Sequence, residues 1–225
     1  MTKRVMLSWS SGKDSAWALQ CLRRDPDVEL AGLFTTVNRE FDRVAMHGVR
    51  RSVLAAQAAS VGLPLTTIPI PHPCSNEAYE AAMAAFAGEA KRNGVTQFAF
   101  GDLFLEDIRR YREEKLAGTG IEPLFPLWKL PTRELAQEMV AAGMRAYITC
   151  VNPRQTPREW AGRLFDRNFI DEVPEGIDPC GEYGEFHTFA FDGPMFRHPV
   201  GVAVGEIVER DGFVFADLLR RFPAA

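Results

Sequence analysis

The amino-acid sequence predicts an α/β fold, a mostly parallel sheet with helices on both faces, followed by a smaller α+β portion. Three observations carry that expectation. Short apolar runs alternate four times with helical patterns in the first half of the chain. The alternation loses its spacing at the Pro-rich stretch "PLFPLWKLP", and the tail beyond turns β-like. The boundary is placed there, giving residues 1–128 as the first domain and 129–225 as a second, smaller one.

Each element has its own justification. Residues 5–9 form a short apolar run, and residues 15–24 place Ala18, Leu19 and Leu22 on one helical face. Residues 30–37 read as a second strand, and "HGVRRSVLAAQAASVG" as a helix stopped by Gly62 and Pro64. Residues 65–70 give a third strand before a helix with Tyr79, Met83, Phe86 and Ala90 at helical spacing, closed by Gly94. Residues 97–100 give a fourth, ending in Gly101-Asp102 ahead of the charged helical segment "EDIRRYREEKLAG". Beyond the boundary, Thr132 is placed to cap a helix carrying Leu135, Met139 and Ala142, "AYITCVN" reads as a strand and "PREWAGRLFDRNF" as one helix from near Pro157. "EFHTFAFDG" and "VGVAVGEIVERDGFVFADLL" complete the chain as strands.

Composition narrows the function classes. With 46% hydrophobic and 25% charged residues, the 225-residue chain can bury a substantial core. A net charge of -4 argues against a surface built to neutralise a nucleic-acid backbone. No apolar run approaches the roughly 18 residues needed to cross a bilayer, and "MTKRVMLSWS" leads straight into a strand, so cytoplasmic residence is expected. Cys21, Cys74, Cys150 and Cys180 are scattered with no Cys-x-x-Cys pair, which suggests neither a disulfide framework nor a zinc site.

The chemistry points to "SWSSGKDS". A loop of small residues between a strand and a helix lets backbone N–H groups approach an anion, and the positive end of the helix favours that charge. Lys13 adds a full charge, and Ser10, Ser11 and Ser15 add hydroxyls. The Walker pattern does not fit, because Leu7 stands where its first Gly belongs and Asp14 separates Lys13 from Ser15. Asp14 beside phosphates calls for a compensating charge, so Mg²⁺ bridging Asp14 to phosphate oxygens is expected. A plain helix-capping turn is the alternative.

Ser10-Ser11-Gly12-Lys13-Asp14-Ser15 resembles the Ser-Gly-Gly-x-Asp-Ser PP-loop of N-type ATP pyrophosphatases, with Ser11 in place of the first Gly. "FAFGDLFLEDIRRYREE", "PLFPLW" and "PCGEYGEFHTFAFDGPMF" are similar to the diphthine–ammonia ligase (ATP-binding type 4) family, over nearly the whole chain. The resemblance implies a Rossmann-like domain of the adenine nucleotide α-hydrolase type with a smaller C-terminal domain. It also implies an amidoligase of diphthamide synthesis that cleaves ATP to AMP and pyrophosphate and adenylates a carboxylate, on diphthine or a related acid, for attack by ammonia. By position, Ser10 to Ser15 would hold the phosphates, and Glu182-Tyr183-Gly184-Glu185 matches a Glu-Gly-Gly-Glu substrate-side motif, with Tyr183 replacing one Gly. Lys13, Asp14, Glu182 and Glu185 are the expected catalytic residues.

Other candidates carry open alternatives. Glu182 and Glu185 can bind ammonium or take its proton, or simply decorate a solvated turn. Gly101 and Asp102 follow a strand at the nucleotide edge, though Asp102 can equally cap a helix. Asn38 ends a strand near the expected adenosine, or forms a turn. His47, Arg50 and Arg51 can reach phosphates or remain solvated. His187 and Cys180 are either site residues or packing residues. Beyond ATP, ammonia, Mg²⁺ and a carboxylate, a homodimer is the base-rate partner. Competing classes are a nucleotide sensor without turnover and an adenylating enzyme acting on RNA.

Overall fold

A computed structural model describes residues 2–40, 43–44 and 48–221. The chain runs β1 (Lys3–Ser8), α1 (Lys13–Arg24), β2 (Val28–Asn38), β3 (Arg43–Val44), α2 (Arg51–Val61), β4 (Leu65–Ile70), α3 (Asn76–Arg92), β5 (Gln97–Ala99), α4 (Glu106–Leu116) and β6 (Glu122–Leu124). It continues through α5 (Thr132–Ala141), β7 (Arg145–Val151), β8 (Leu164–Phe165), α6 (Arg167–Glu172), β9 (Phe186–Asp192), β10 (Val202–Arg210) and β11 (Phe213–Arg220).

The parallel strands lie in the order β4-β2-β1-β5-β6, with β3 added antiparallel to the end of β2. This is a Rossmann-like arrangement in which strand order reverses between β1 and β5. A crevice at the carboxyl ends of those two strands is therefore the expected ligand site.

Strand β1 shows why both faces are covered. Val5 and Leu7 enter one apolar core while Met6, on the opposite side of the pleat, enters another. The first core takes Trp17, Leu19 and Leu22 of α1, Val53 and Leu54 of α2, and continues into Met139, Phe165, Phe169 and Phe189 of the second half of the chain. The second core joins Phe34, Phe98 and Phe100 to Phe86 of α3 and Leu116 of α4.

The second sheet is antiparallel, with β7 flanked by β9 on one side and by β8 and β11 on the other. It packs on the α1–α2 face of the parallel sheet, where β9 meets the loop after β1 directly. The Ala190 N–H donates to the Ser11 carbonyl at 3.0 Å. The buried Gln57 amide donates to the Ser11 and Ala190 carbonyls and accepts from the Trp9 indole.

Several expectations are corrected. The segment expected as one helix from Pro157 is a 3-10 turn, Arg158–Trp160, then β8 and α6. Gly162 takes φ 87, which interrupts the helix, and Leu164 and Phe165 pair with β7. Thr132 is the first residue of α5, capped by Pro131 without a side-chain bond, and Ala142 is exposed. Strand β6 lies unforeseen in the Pro-rich stretch; it sits at the sheet edge, where Pro123 costs no ladder bond on its open side.

Candidate active site

At the reversal between β1 and β5 lies a cleft of about 290 Å³. Distant segments form it: the end of β1 with the loop after it, the turn after β5, Arg112 of α4, and the turn before β9 with the first residues of β9. Ser10, Lys13, Asp14, Ser15, Gly101, Asp102 and Glu182, all expected from the sequence, line it.

Loop geometry follows from its residues. Gly12 caps α1 with no side chain of its own, leaving the first-turn N–H groups to other partners. Lys13 N–H donates to Thr188 Oγ1 at 3.0 Å, so β9 fixes the helix entry. The Ser10 hydroxyl accepts from Gly12 N–H and donates to Ser15 Oγ, and the Ser15 hydroxyl donates to the Gly12 carbonyl. Ser11, standing where the PP-loop pattern has Gly, adopts φ 73 with its buried hydroxyl oxygen unpartnered. The loop therefore demands the left-handed conformation that Gly supplies, and this chain holds a serine there.

Lys13 is only 1% exposed. Its Nζ bonds both Asp14 carboxylate oxygens, at 2.9 and 3.0 Å, and the Cys180 carbonyl. The rings of Phe165 and Phe186 lie 5.4 and 5.5 Å away. Burial works against the charge, but Asp14, Cys180 and Asp178 outweigh it and hold the Lys13 pKa above its ordinary value. The cleft thus keeps a desolvated ammonium beside a carboxylate.

Gly101 is favoured by a close contact. A Cβ there would lie 3.0 Å from the Asp14 carbonyl carbon and the Ser15 nitrogen, so any larger residue would push the turn after β5 away from the start of α1. Asp102 does not cap α4, whose N-cap is Leu105; it forms a bidentate pair with Arg112. Arg112 also covers the Phe100 ring at 4.2 Å and lines the cleft.

The two glutamates of the late motif separate. Glu182 lines the cleft, where its Oε1 accepts from Leu103 N–H at 2.8 Å. Burial, reinforced by Asp14 and Asp102 against the Leu103 bond, pushes its pKa up to about 7. Glu185 is 2% exposed and lies outside the cleft lining; Oε1 accepts from Asp178 N–H at 3.1 Å and Oε2 is buried without a partner. Asp178 in turn accepts from Glu182 N–H at 2.8 Å, so Glu185 holds the backbone that presents Glu182. Tyr183 is 63% exposed, stands edge-on to Phe104 and needs no positive φ, so its replacement of a Gly strains nothing. Gly181 and Gly184 supply the left-handed turns at φ 72 and 81.

Other candidates resolve differently. Asn38, at the end of β2, accepts from Glu40 N–H and does not line the cleft. Arg50 pairs with Asp217 of β11, and neither it nor Arg51 lines the cleft; His47 lies outside the described residues. His187 lines the cleft, with its pKa pushed down to about 4 by burial and by the Lys13 charge, so it is neutral at pH 7. Burial raises the Cys180 thiol pKa well above its ordinary value, which makes it a packing group and not a nucleophile. Sequence reading missed Arg112, Thr188, Ser8 and Phe100. None of the four belongs to a contiguous motif, and Arg112 stands ten residues from its partner Asp102.

Among the described residues, no three His, Cys, Asp or Glu side chains are grouped to hold a metal, and no helix is long and apolar enough to cross a membrane. Asp14 offers the cleft a hard oxygen donor, which suits an ion held mainly by ligand phosphates.

Residues 3–121 match the family described as Diphthamide synthase N-terminal domain, and residues 131–218 match Diphthamide synthase C-terminal domain. Among curated proteins, the chain is similar to Diphthine--ammonia ligase of Bos taurus, at 27% identity over 95% of this chain and 88% of that protein. The Homo sapiens protein of the same name is 26% identical over the same shares. That of Danio rerio is 26% identical over 95% of this chain and 91% of its own length.

Proposed function

This chain belongs to the diphthamide synthase family and is an enzyme of the carbon–nitrogen ligase class, and we propose that it cleaves ATP between the α and β phosphates to activate a carboxylate for attack by ammonia. The observation that carries the reading is the convergence of the Ser10–Ser15 loop, Gly101-Asp102 and Glu182 on one cleft.

In this reading the carboxylate oxygen attacks the α-phosphorus and pyrophosphate leaves with the bridging oxygen. Ammonia then attacks the acyl carbon, its bond to the AMP oxygen breaks, and a proton passes from nitrogen to Glu182. Lys13 and the first-turn N–H groups of α1 hold the phosphates and neutralise charge that grows as pyrophosphate departs. Asp14 is the residue that would hold a Mg²⁺, which would supply further charge neutralisation at the phosphates. Glu182, with a pKa of about 7, is suited to accept the proton near neutral pH. Glu185 acts as a positioning residue through Asp178. Residues 1–128 serve the nucleotide and 129–225 the substrate side, and the acid is diphthine or a related carboxylate.

The test is product identification. The protein is incubated with ATP, Mg²⁺ and ammonium, with and without candidate acids. AMP and pyrophosphate are expected; ADP and phosphate would place the cut at another bond.

A further inference from the structure

We propose that the ring pair of Tyr183 and Phe104, beside Glu182, is what selects the acid, and that it takes a carboxylate carrying a quaternary ammonium group on a short arm. The inference rests on the adenylation reading above and assigns specificity to residues of that same site.

Tyr183 belongs to the turn before β9, in the substrate-side half of the chain, and Phe104 to the turn after β5. Their ring centroids are 5.1 Å apart with the planes at 64°, so the two rings form a corner. Glu182, which lines the cleft, directly precedes Tyr183, and its Oε1 accepts from the N–H of Leu103, the residue before Phe104. That bond ties the ring pair to the wall of the cleft where the proton of ammonia is to be taken. Tyr183 is nevertheless 63% exposed, more than any other large hydrophobic side chain among the described residues. A Cβ at Gly184 would meet nothing within 4 Å, so the space next to the ring is open. Folding gains little from an aromatic side chain left in solvent, at a position where the resembled motif has Gly.

Charge decides what the corner attracts. Burial is the first cause of the raised Glu182 pKa, and among the charges that act on it Asp14 and Asp102 outweigh Lys13, so the field at this wall is negative. Lys129, whose N–H donates to the Leu103 carbonyl, is paired with Glu106 at 2.9 Å and does not reverse that field. A negative field and an exposed aromatic face both favour a cation. Which cation follows from what the corner lacks. A primary ammonium brings three N–H donors that need acceptors, and ring faces are poor ones. A methylated ammonium has no N–H to satisfy, and it spreads its positive charge over methyl groups that pack on a ring, the mode in which aromatic cages take such groups. With the cation seated at the rings, a carboxylate a short arm away reaches the cleft past Glu182.

The probe is trimethylglycine, titrated into the full chain and followed by the NMR signal of its methyl protons. Its uncharged isostere, in which carbon replaces the nitrogen, and a non-hydrolysable ATP analogue with Mg²⁺ are titrated in parallel. Saturable binding of trimethylglycine to the wild type is expected, with the isostere weaker by about fivefold or more. Tyr183→Leu keeps apolar bulk and loses the ring, so it should weaken trimethylglycine by about three- to thirtyfold while leaving analogue affinity unchanged. Tyr183→Phe keeps the ring and should bind as the wild type does. The exposure of the side chain makes both variants compatible with the fold. Absence of saturable binding to the wild type, equal affinity for the isostere, or wild-type affinity in Tyr183→Leu would overturn the proposal. So would an equal loss in Tyr183→Phe, since the hydroxyl would then carry the contact, or a Tyr183→Leu protein that loses the analogue along with the acid, since the ring would then only support the turn. These binding results are independent of the cleavage chemistry, which fails separately if ADP and phosphate are the products.

Discussion

The opening loop and the late acidic turn reach the same cleft by opposite means. In the loop, nearly every polar group is tied down: Ser10, Ser15 and Gly12 bond one another, Thr188 holds Lys13 N–H, and Gln57 holds the Ser11 carbonyl. Its charge, Lys13, is fixed in place and stays ionised. The turn divides its labour instead. Glu182 faces the cleft and is poised to change protonation near pH 7, while Glu185 three residues on is buried and holds the backbone. A fixed charge suits phosphate binding, and a titrating one suits proton transfer. Two glutamates in one short motif thus serve chemistry and architecture separately.

The largest expected effect comes from breaking the fixed charge. Lys13→Ala should lower AMP formation by about a thousandfold or more. It should also destabilise the fold by about 3 kcal/mol, because Asp14 loses its partner, as chemical denaturation would record. Wild-type turnover in this variant would remove Lys13 from the phosphates. Glu182→Gln should cost roughly a hundred- to ten-thousandfold in turnover and abolish the rise of activity through about pH 7.

The same substitution separates stability from activity. The folded pKa of Glu182, about 7, exceeds its ordinary 4.5, so between those values the folded state binds more protons than the unfolded one. Wild-type stability should therefore fall as pH rises through that window, and the fall should be smaller in Glu182→Gln. Identical pH dependence of the two melting temperatures would contradict the buried environment assigned to Glu182.

Glu185→Ala is expected to keep nucleotide binding, lower amide formation and shift the activity midpoint away from about pH 7, because no side chain then accepts the Asp178 N–H and the Glu182 backbone is no longer held in place. A variant with lowered stability but an unmoved pH profile would make Glu185 purely structural. The smallest effect is expected at Ser11→Gly, which relieves a left-handed serine and an unpartnered hydroxyl and should stabilise the protein by about 1 kcal/mol. Destabilisation would show that the Ser11 side chain contributes packing that outweighs its strain.

Much of the parallel sheet was legible because its strands and helices announce themselves locally. Gly62 and Pro64 end α2, and residues 65–70 coincide with β4. Edge strand β6 was hidden by prolines that only its edge position tolerates, and β8 by a helical periodicity that pairing with β7 overrides. In the site, Ser10 to Ser15 and Glu182 could be found because motif residues are contiguous. Arg112 and Thr188 could not, since each owes its place to a partner brought in by folding, in the case of Thr188 from 175 residues away. The split between Glu182 and Glu185 was equally invisible, because burial alone distinguishes two identical side chains.

The central claim is that the acid's carboxylate oxygen attacks the α-phosphorus of ATP. The direct measurement uses an acid that supports turnover, labelled with heavy oxygen in its carboxylate, together with ATP, Mg²⁺ and ammonium, and reads the products by mass spectrometry. The account predicts AMP carrying one heavy oxygen, with unlabelled pyrophosphate. Unlabelled AMP, or heavy oxygen appearing in inorganic phosphate beside ADP, would contradict it.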